Sequence, residues 1–213
     1  MRCTLAGLLV TLALAAPPAA CADDDWLLIG RVGAFTPRVS QPNDLLVERT
    51  QTLALQKSDW RAPLGGVEVA VKATGFLELG QHFDAQQAVI DRAPDSISDA
   101  SSLLAETVVV GLTARLIPTR PGARFAPYLG AGPDLVVWRY IETVGSSASE
   151  RKADGTTLGL HAAVGLRVFL THSFALSAEY RRQFAGADMN GDFVGKHLDF
   201  TGSMVTLGLA YRF

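Results

Sequence analysis

A two-residue alternation of apolar and polar side chains runs through most of this chain and restricts its fold more than any other feature. The final segment shows it best. From Val205 to Phe213 the odd positions are apolar or aromatic, and the even positions are small or polar. Similar alternation occurs at 67–72, 77–82, 108–116, 158–168 and 174–184. Successive side chains of a strand point to opposite faces, so this period predicts β-strands rather than helices.

The size of the side chains indicates which face of the sheet is inside. A water-soluble barrel needs large apolar residues inside, whereas here the polar face carries glycine, alanine, serine and long charged residues. Aromatic residues collect at the strand ends, with Trp26, Phe174, Tyr211 and Phe213 at one end and Phe83, Trp138, Tyr140 and Phe184 at the other. This pattern predicts an all-β fold: a single antiparallel, up-and-down transmembrane β-barrel with an apolar outer belt.

Eight strands account for the segments, at 26–36, 65–72, 76–84, 103–117, 124–140, 156–170, 174–184 and 200–213. Short connections at 73–75, 118–123 and 171–173 alternate with long ones at 37–64, 85–102, 141–155 and 185–199. The stretch 49–56 could extend a hairpin inside the first long loop. An even number of strands places both termini at the end with the short turns.

The N-terminus has the pattern of a secretory signal peptide. Arg2 precedes the apolar run Leu5–Ala16, and Ala20-Cys21-Ala22 fits a small-x-small cleavage site. We therefore expect a signal peptide at 1–22 and a barrel domain at 23–213. An uncleaved anchor and lipidation at Cys21 remain alternatives. Cleavage would remove both cysteines of the chain, so no thiol-based metal or redox site is expected.

The overall charge and hydropathy exclude two other classes. The formal net charge of −2 provides no basic field, so nucleic acid is not an expected partner. Beyond the N-terminus, no run approaches the ~18 consecutive apolar residues that a membrane-spanning helix requires.

Four segments resemble known small barrels. The chain ends in LGLAYRF, like the terminal aromatic motif of outer-membrane barrels, and RFAPYLGAGPDLVVW (124–138) resembles the fifth strand of the OmpW family. DDWLLIGRVGAFTPR and AVGLRVFLTHSFALSAEYRR extend the resemblance over about half of the expected mature chain, and related OmpA-like barrel domains share these phrases.

The resemblance implies an outer-membrane barrel of a Gram-negative bacterium with periplasmic termini. It also implies a narrow, partly hydrophobic channel for small apolar molecules. Expected partners are outer-membrane lipids, lipopolysaccharide and the assembly machinery, which would read Tyr211 and Phe213. Pro133 departs from the family pattern. Since proline cannot donate to a ladder, we expect a bulge there that turns Val136, Trp138 and Tyr140 toward lipid.

Charged residues on the predicted interior face form the main candidate site. Lys72, Arg115, Arg167 and Arg212 lie near the same ends of alternate strands and should form a ring at one depth. Glu78 is placed to pair with Lys72 and Glu179 with Arg167, while Glu68 lies one layer further in and Arg181 shares the interior face. Such a ring is either an ion-pair plug that closes the lumen or a charged constriction of a channel.

Catalytic and metal-binding patterns are weak. His82 and His161 are predicted to face the lumen, and His172 directly precedes Ser173, which departs from the His-x-Ser motif of outer-membrane lipid A deacylases. Asp188–Asp192 alternates oxygen ligands like a calcium loop but has Phe193 where such loops need glycine. We therefore expect a narrow channel or structural scaffold, with no enzyme activity, cofactor or metal. A lipid-modifying enzyme and a surface-binding barrel acting through its outer loops remain alternatives.

Overall fold

Eight long antiparallel strands close into a barrel in the computed structural model, which describes residues 26–39, 44–52, 56–91, 100–120, 122–144 and 149–213. The barrel strands are β1 (Trp26–Pro37), β2 (Ala62–Lys72), β3 (Leu77–Asp91), β4 (Ala100–Leu116), β5 (Phe125–Val144), β6 (Ser149–Phe169), β7 (Phe174–Phe184) and β10 (Gly202–Arg212). Each pairs with its sequence neighbours, and β10 closes the barrel between β7 and β1. The predicted fold class is confirmed.

The barrel has a turn end, where the short connections lie, and a loop end, where the long ones lie. A small hairpin, β8 (Gly186–Asp188) and β9 (His197–Asp199), and a helix, α1 (Leu45–Thr52), belong to the loop end. The predicted signal peptide at 1–22 lies outside the described residues. No described helix has the length and apolar character needed to cross a membrane.

Alternation divides the strands into two chemically different faces. Outward positions expose large apolar side chains, among them Val32, Val67, Leu79, Leu112, Leu129, Leu158, Leu176, Val205 and Leu207. Inward positions of the same strands bury charged, polar or small residues, such as Glu68, Glu78, Thr113 and Ala163. This is the arrangement of a barrel whose outer surface is covered by lipid.

The strands differ in length, so the barrel wall is uneven. β1, β2, β7 and β10 have 11 or 12 residues, close to the ~9–11 that span a bilayer. β3 to β6 have 15 to 21 residues and form a taller wall at the loop end. The predicted strand limits were too short for these four strands.

Two long loops pack against the inner side of this tall wall. α1, the short 3-10 helix Lys57–Trp60 and residues 185–201 form an apolar layer with β3 to β6, which we call the cap. Its buried residues include Leu45, Trp60, Met189, Phe193, Leu198 and Phe200 from the loops, and Val136, Trp138 and Tyr140 from β5. The predicted hairpin extension at 49–56 is wrong, because α1 occupies Leu45–Thr52.

The expected bulge at Pro133 is absent from β5. The register from Phe125↔Val168 to Val144↔Ser149 is unbroken against β6, and burial alternates through the whole of 128–140. Pro133 points outward and is exposed, while Val136, Trp138 and Tyr140 are buried inside. The prediction that these three residues face lipid is wrong. At the loop end, the cap packs against the inner side of the tall wall. The inward residues of the wall are therefore apolar there.

Candidate functional site: the barrel interior

Eight charged residues fill the middle of the barrel, all from inward positions and none more than 7% exposed. We call this set the ion cluster; its members are Arg31, Glu68, Glu78, Asp84, Arg115, Arg167, Glu179 and Arg181. Four arginines face four carboxylates, so the ion cluster is formally neutral. Its residues come from six strands, which makes it a product of barrel closure rather than of any local motif.

Arg31 connects two of the carboxylates. Its Nε and Nη2 donate to the two carboxylate oxygens of Asp84, both at 2.7 Å, and its Nη1 donates to Glu68 Oε2 at 2.9 Å. Arg181 also donates to Asp84, at 3.0 Å, and reaches Glu179 Oε1 at 2.8 Å. Each acid in this half of the ion cluster therefore has more than one arginine partner.

Arg115 and Arg167 fill the half nearer the turn end. Arg115 donates two hydrogen bonds to Glu68 and one to Glu78 at 3.2 Å. Arg167 donates two hydrogen bonds to the Glu78 carboxylate, at 2.6 and 2.8 Å. The Tyr128 ring lies 5.2 Å from the Arg115 guanidinium carbon and 5.0 Å from that of Arg167. Its hydroxyl donates to Glu179 Oε2 at 3.0 Å.

The four cations predicted to form a ring all occupy inward positions but differ in burial. Arg115 and Arg167 are fully buried in the ion cluster, whereas Lys72 and Arg212 are half-buried at the turn end. Arg212 lies over the Phe169 ring at 4.2 Å, and Lys72 is the register partner of Glu78. The four cations are therefore not equally buried, and their common depth stays a prediction.

The predicted pairing of Arg167 with Glu179 is also wrong, because Arg167 binds Glu78 instead. Glu78 stands on β3, three strands away from β6 around the barrel. In so narrow a barrel, long side chains reach across the lumen, so partners need not be neighbours on adjacent strands.

Sequence reasoning missed Arg31, Asp84 and Asp134. Arg31 occupies an odd position of β1, as do the apolar residues Leu27 and Ile29. Because apolar residues were expected to face outward, the inward direction of Arg31 was not predicted. Asp84 continues the inward series of Glu78 and His82, and that parity could have identified it. Asp134 directly follows Pro133, where the expected bulge obscured its parity.

A second buried polar group lies on the loop side of the ion cluster. His161 Nδ1 is 2.8 Å from Asp134 Oδ1, and His82 Nε2 is 3.3 Å from the same oxygen. The Thr113 hydroxyl lies 3.3 Å from His82 Nδ1 and 3.0 Å from His161 Nε2. All four residues are at most 2% exposed. His82 and His161 thus point into the lumen, as predicted, and both contact Asp134.

The cap closes the loop end above this group through both apolar and polar contacts. Trp138 meets Phe200 with ring centroids 5.7 Å apart, and Tyr140 meets Phe193 edge-to-face at 5.2 Å. Arg49 of α1 donates to Glu142 at 3.0 Å. Lys196 donates to Glu48 at 2.5 Å, and this hydrogen bond holds the Glu48 pKa below its ordinary value.

Asp44 anchors the start of α1 inside the cap. Its Oδ1 accepts hydrogen bonds from the backbone N–H groups of Leu46 at 3.1 Å and Asp199 at 3.4 Å. Burial raises the pKa of Asp44 to about 6, although both hydrogen bonds favour its ionised form.

The calcium-like segment 188–192 serves to attach a loop to the barrel wall. Asn190 donates to the Asp154 carbonyl at 2.7 Å, and Asp192 accepts from the Lys152 N–H at 2.8 Å. Asp188 instead contacts His197 at 3.1 Å. Asp188, Asn190 and Asp192 thus bind different partners, and within the described residues they do not belong to a group of possible metal ligands.

His172 and Ser173 occupy the turn between β6 and β7. His172 is exposed, and the Ser173 N–H donates to Thr171 Oγ1 at 3.3 Å, as in an ordinary polar turn. At the same end, a recess of about 30 Å³ lies among Lys72, Glu78, Arg167 and Arg212. A groove of about 560 Å³ lies on the wall of β2 to β6, lined largely by outward residues such as Val108 and Val137.

Comparison with known proteins gives a family and a fold. Residues 6–213 match the family model described as outer membrane protein beta-barrel domain. No curated protein matches the chain.

Among solved structures, OprG from Pseudomonas aeruginosa is 14% identical with a TM-score of 0.60, covering 89% of this chain and 95% of that one. Neisserial surface protein A is 14% identical with a TM-score of 0.56, covering 89% and 97%. A major outer membrane protein from Thermus thermophilus is 13% identical with a TM-score of 0.56, covering 89% and 99%. At these identities the structures show a shared fold.

Proposed function

The chain belongs to the outer membrane protein beta-barrel domain family, and from that premise we propose that it is a closed structural barrel rather than an open pore. The observation that carries the proposal is the ion cluster, whose eight charged side chains fill the middle of the lumen. Barrels of eight strands have interiors about wide enough for side chains, so such a cluster leaves little space for a solute.

The bonding of the ion cluster favours a fixed plug over a moving gate. Arg31 binds Asp84 with two hydrogen bonds and Arg167 binds Glu78 in the same way, so each pair is held in position and orientation. Opening the lumen would separate several buried pairs together, and each separation leaves an uncompensated charge. The ion cluster therefore stabilises the closed barrel.

The cap adds a second closure of different chemistry. Phe193, Leu198 and Phe200 cover Trp138 and Tyr140 at the loop end, so a solute entering there would first meet an apolar layer. The ion cluster lies beneath it. A small apolar molecule that passed the cap would then have to cross buried charges, which disfavours a narrow channel for such molecules.

An enzymatic role and a surface-binding role have less support from named residues. A lipid-modifying enzyme would need a histidine, a serine and an acid together, whereas His172 and Ser173 lie in an exposed turn with ordinary turn bonding. A surface-binding role would use the exposed parts of the loops, such as Val194, which is 77% exposed. That role is compatible with a closed barrel.

We propose that the loop end faces outward from the cell and that both termini are periplasmic. A cysteine introduced at Val194 should react with a membrane-impermeant maleimide on intact cells. A cysteine at Gly75, in an exposed turn at the other end, should react only after permeabilisation. The reverse labelling pattern would contradict this orientation.

Influx into liposomes tests the proposed function. We expect liposomes carrying the refolded protein to take up small sugars and amino acids no faster than protein-free liposomes. A variant with Arg115→Ala and Glu68→Ala, which removes the centre of the ion cluster, should raise influx if it folds. Uptake by the unaltered protein at the rate of an open pore would refute the proposal.

A further inference from the structure

Four buried side chains form a closed cycle of polar contacts between the ion cluster and the cap. In order around the cycle they are Asp134, His161, Thr113 and His82, and the four contacts measure 2.8, 3.0, 3.3 and 3.3 Å. They come from β5, β6, β4 and β3, so the closed barrel fixes their positions.

The cycle has too few hydrogens for its contacts. With Asp134 ionised and both imidazoles neutral, the two rings and the Thr113 hydroxyl supply three hydrogens for four contacts. One contact must then bring two lone pairs together. His82 Nε2 and Asp134 Oδ2 are correspondingly buried without a hydrogen-bond partner in the described structure. A positive species between the histidines and Asp134 would resolve the repulsion.

The corner of the cycle between His82 Nε2, His161 Nδ1 and Asp134 has the donor atoms and spacing of a metal site. His82 Nε2, His161 and Asp134 each direct a ligand atom there, and all three atoms lie within 4.8 Å of one another. Ligand atoms in a tetrahedral zinc site stand about 3.3–3.6 Å apart, since each is ~2.0–2.2 Å from the metal. Asp134 Oδ1 lies 3.3 Å from His82 Nε2, which matches this spacing, and 2.8 Å from His161 Nδ1, a contact that would lengthen slightly around a metal ion.

Thr113 and Gly111 support the same assignment. If the Thr113 hydroxyl accepts the N–H of both imidazoles, His82 Nε2 and His161 Nδ1 are left as bare lone pairs facing Asp134, as metal-binding histidines require. A side chain at Gly111 would fill the corner, because its Cβ would lie 2.1 Å from Asp134 Oδ1 and 2.3 Å from His82 Cε1.

We propose that His82, His161 and Asp134 bind one divalent transition-metal ion, with zinc the best match to two imidazoles and a carboxylate. An extra proton on one histidine would complete the hydrogen count but would leave Asp134 Oδ2 without a partner. A metal ion can engage both carboxylate oxygens. Asp84, whose Oδ2 lies 3.9 Å from His82 Nε2, adds negative charge beside the site.

Cobalt substitution tests the proposal directly. The full chain is refolded in detergent micelles with Co²⁺ present, because the ion could not easily reach the buried site after folding. Unbound metal is then removed by gel filtration. We expect one Co²⁺ per chain, visible absorption bands of a tetrahedral ion, and displacement of the cobalt by Zn²⁺. Asp134→Asn and His161→Ala should each weaken binding at least ~100-fold, and Thr113→Val ~10–100-fold.

A matched control separates this site from adventitious binding. His197→Asn removes the exposed histidine–aspartate pair of the cap, and it should leave the stoichiometry and the spectrum unchanged. Heat-modifiable migration on gels identifies the variants that fold. If His161→Ala does not fold, the near-isosteric Asp134→Asn alone tests the proposal. No saturable Co²⁺ binding would overturn the proposal. It would also be overturned if binding were kept in Asp134→Asn or lost in His197→Asn.

Discussion

Each carboxylate of the ion cluster is stabilised by several donors at once. Glu179, for example, accepts from Arg181 at 2.8 Å, from the Tyr128 hydroxyl at 3.0 Å and from Arg115 at 3.4 Å. Buried ion pairs repay their desolvation only when such additional bonds satisfy the remaining donors and acceptors. The loss of one member therefore affects all its partners.

Glu179→Ala should destabilise the barrel by about 3–5 kcal/mol, because it leaves buried arginine charge uncompensated. The matched control is Glu150→Ala, which removes an acid whose side chain is 52% exposed and pairs with Lys152 at the loop end. An exposed pair contributes about 0–1 kcal/mol. Urea unfolding in micelles measures both variants. Equal, small effects would mean that water screens the lumen charges.

Asp44 should make the stability of the cap depend on pH. Its pKa is about 6 in the folded cap against an ordinary value of 3.8, so the folded state binds the proton more tightly. Protonation of Asp44 therefore stabilises the cap fully below about pH 4, and this stabilisation is lost as the pH rises through 6. Amide hydrogen exchange of residues 44–52, corrected for intrinsic exchange rates, should show stronger protection at pH 5 than at pH 7.5. Asp44→Asn should abolish that difference, and an unchanged difference in this variant would assign the effect to another group.

At the scale of elements, alternation predicted the number and order of the strands, but not their full length or the inward facing of Val136, Trp138 and Tyr140 in β5. In β6 the segment 149–156 has no large apolar residue on either face, because outward residues such as Lys152 and Asp154 lie beyond the apolar belt and the inward Ala153 is small. Without an apolar face, the sequence pattern resembles a loop. The folded loops escaped prediction for a related reason: α1 is only eight residues long, and its burial depends on the tall wall.

The C-terminal strand gives a prediction about assembly. Phe213 is 71% exposed, stacks edge-to-face on Tyr211 at 5.0 Å, and donates its N–H to the Trp26 carbonyl at 3.0 Å. We expect the outer-membrane assembly machinery to read this aromatic end. Deleting Phe213 should therefore lower the amount of folded, heat-modifiable protein in the membrane. Phe125→Ala, which removes an outward aromatic residue at the turn end of β5, is the control. Unchanged levels after the deletion would contradict the prediction.

At the scale of the whole molecule, the charges that close the lumen were only partly predictable. Parity placed Lys72, Arg115, Arg167 and Arg212 on the inner face, but it could not assign partners across the barrel. Pairings such as Arg167 with Glu78 and Arg31 with Asp84 depend on side-chain reach and on strand order around the closed sheet. The grouping of His82, His161 and Asp134 likewise arises only when four strands are brought into register.

The central claim, a lumen closed by the ion cluster and the cap, is tested most directly by planar-bilayer recording of the refolded protein. We predict no steady unitary conductance for the unaltered chain at moderate voltage. The variant combining Arg115→Ala with Glu68→Ala should produce conductance steps, because it empties the centre of the lumen. Stable, reproducible steps from the unaltered protein, unchanged in that variant, would contradict the account.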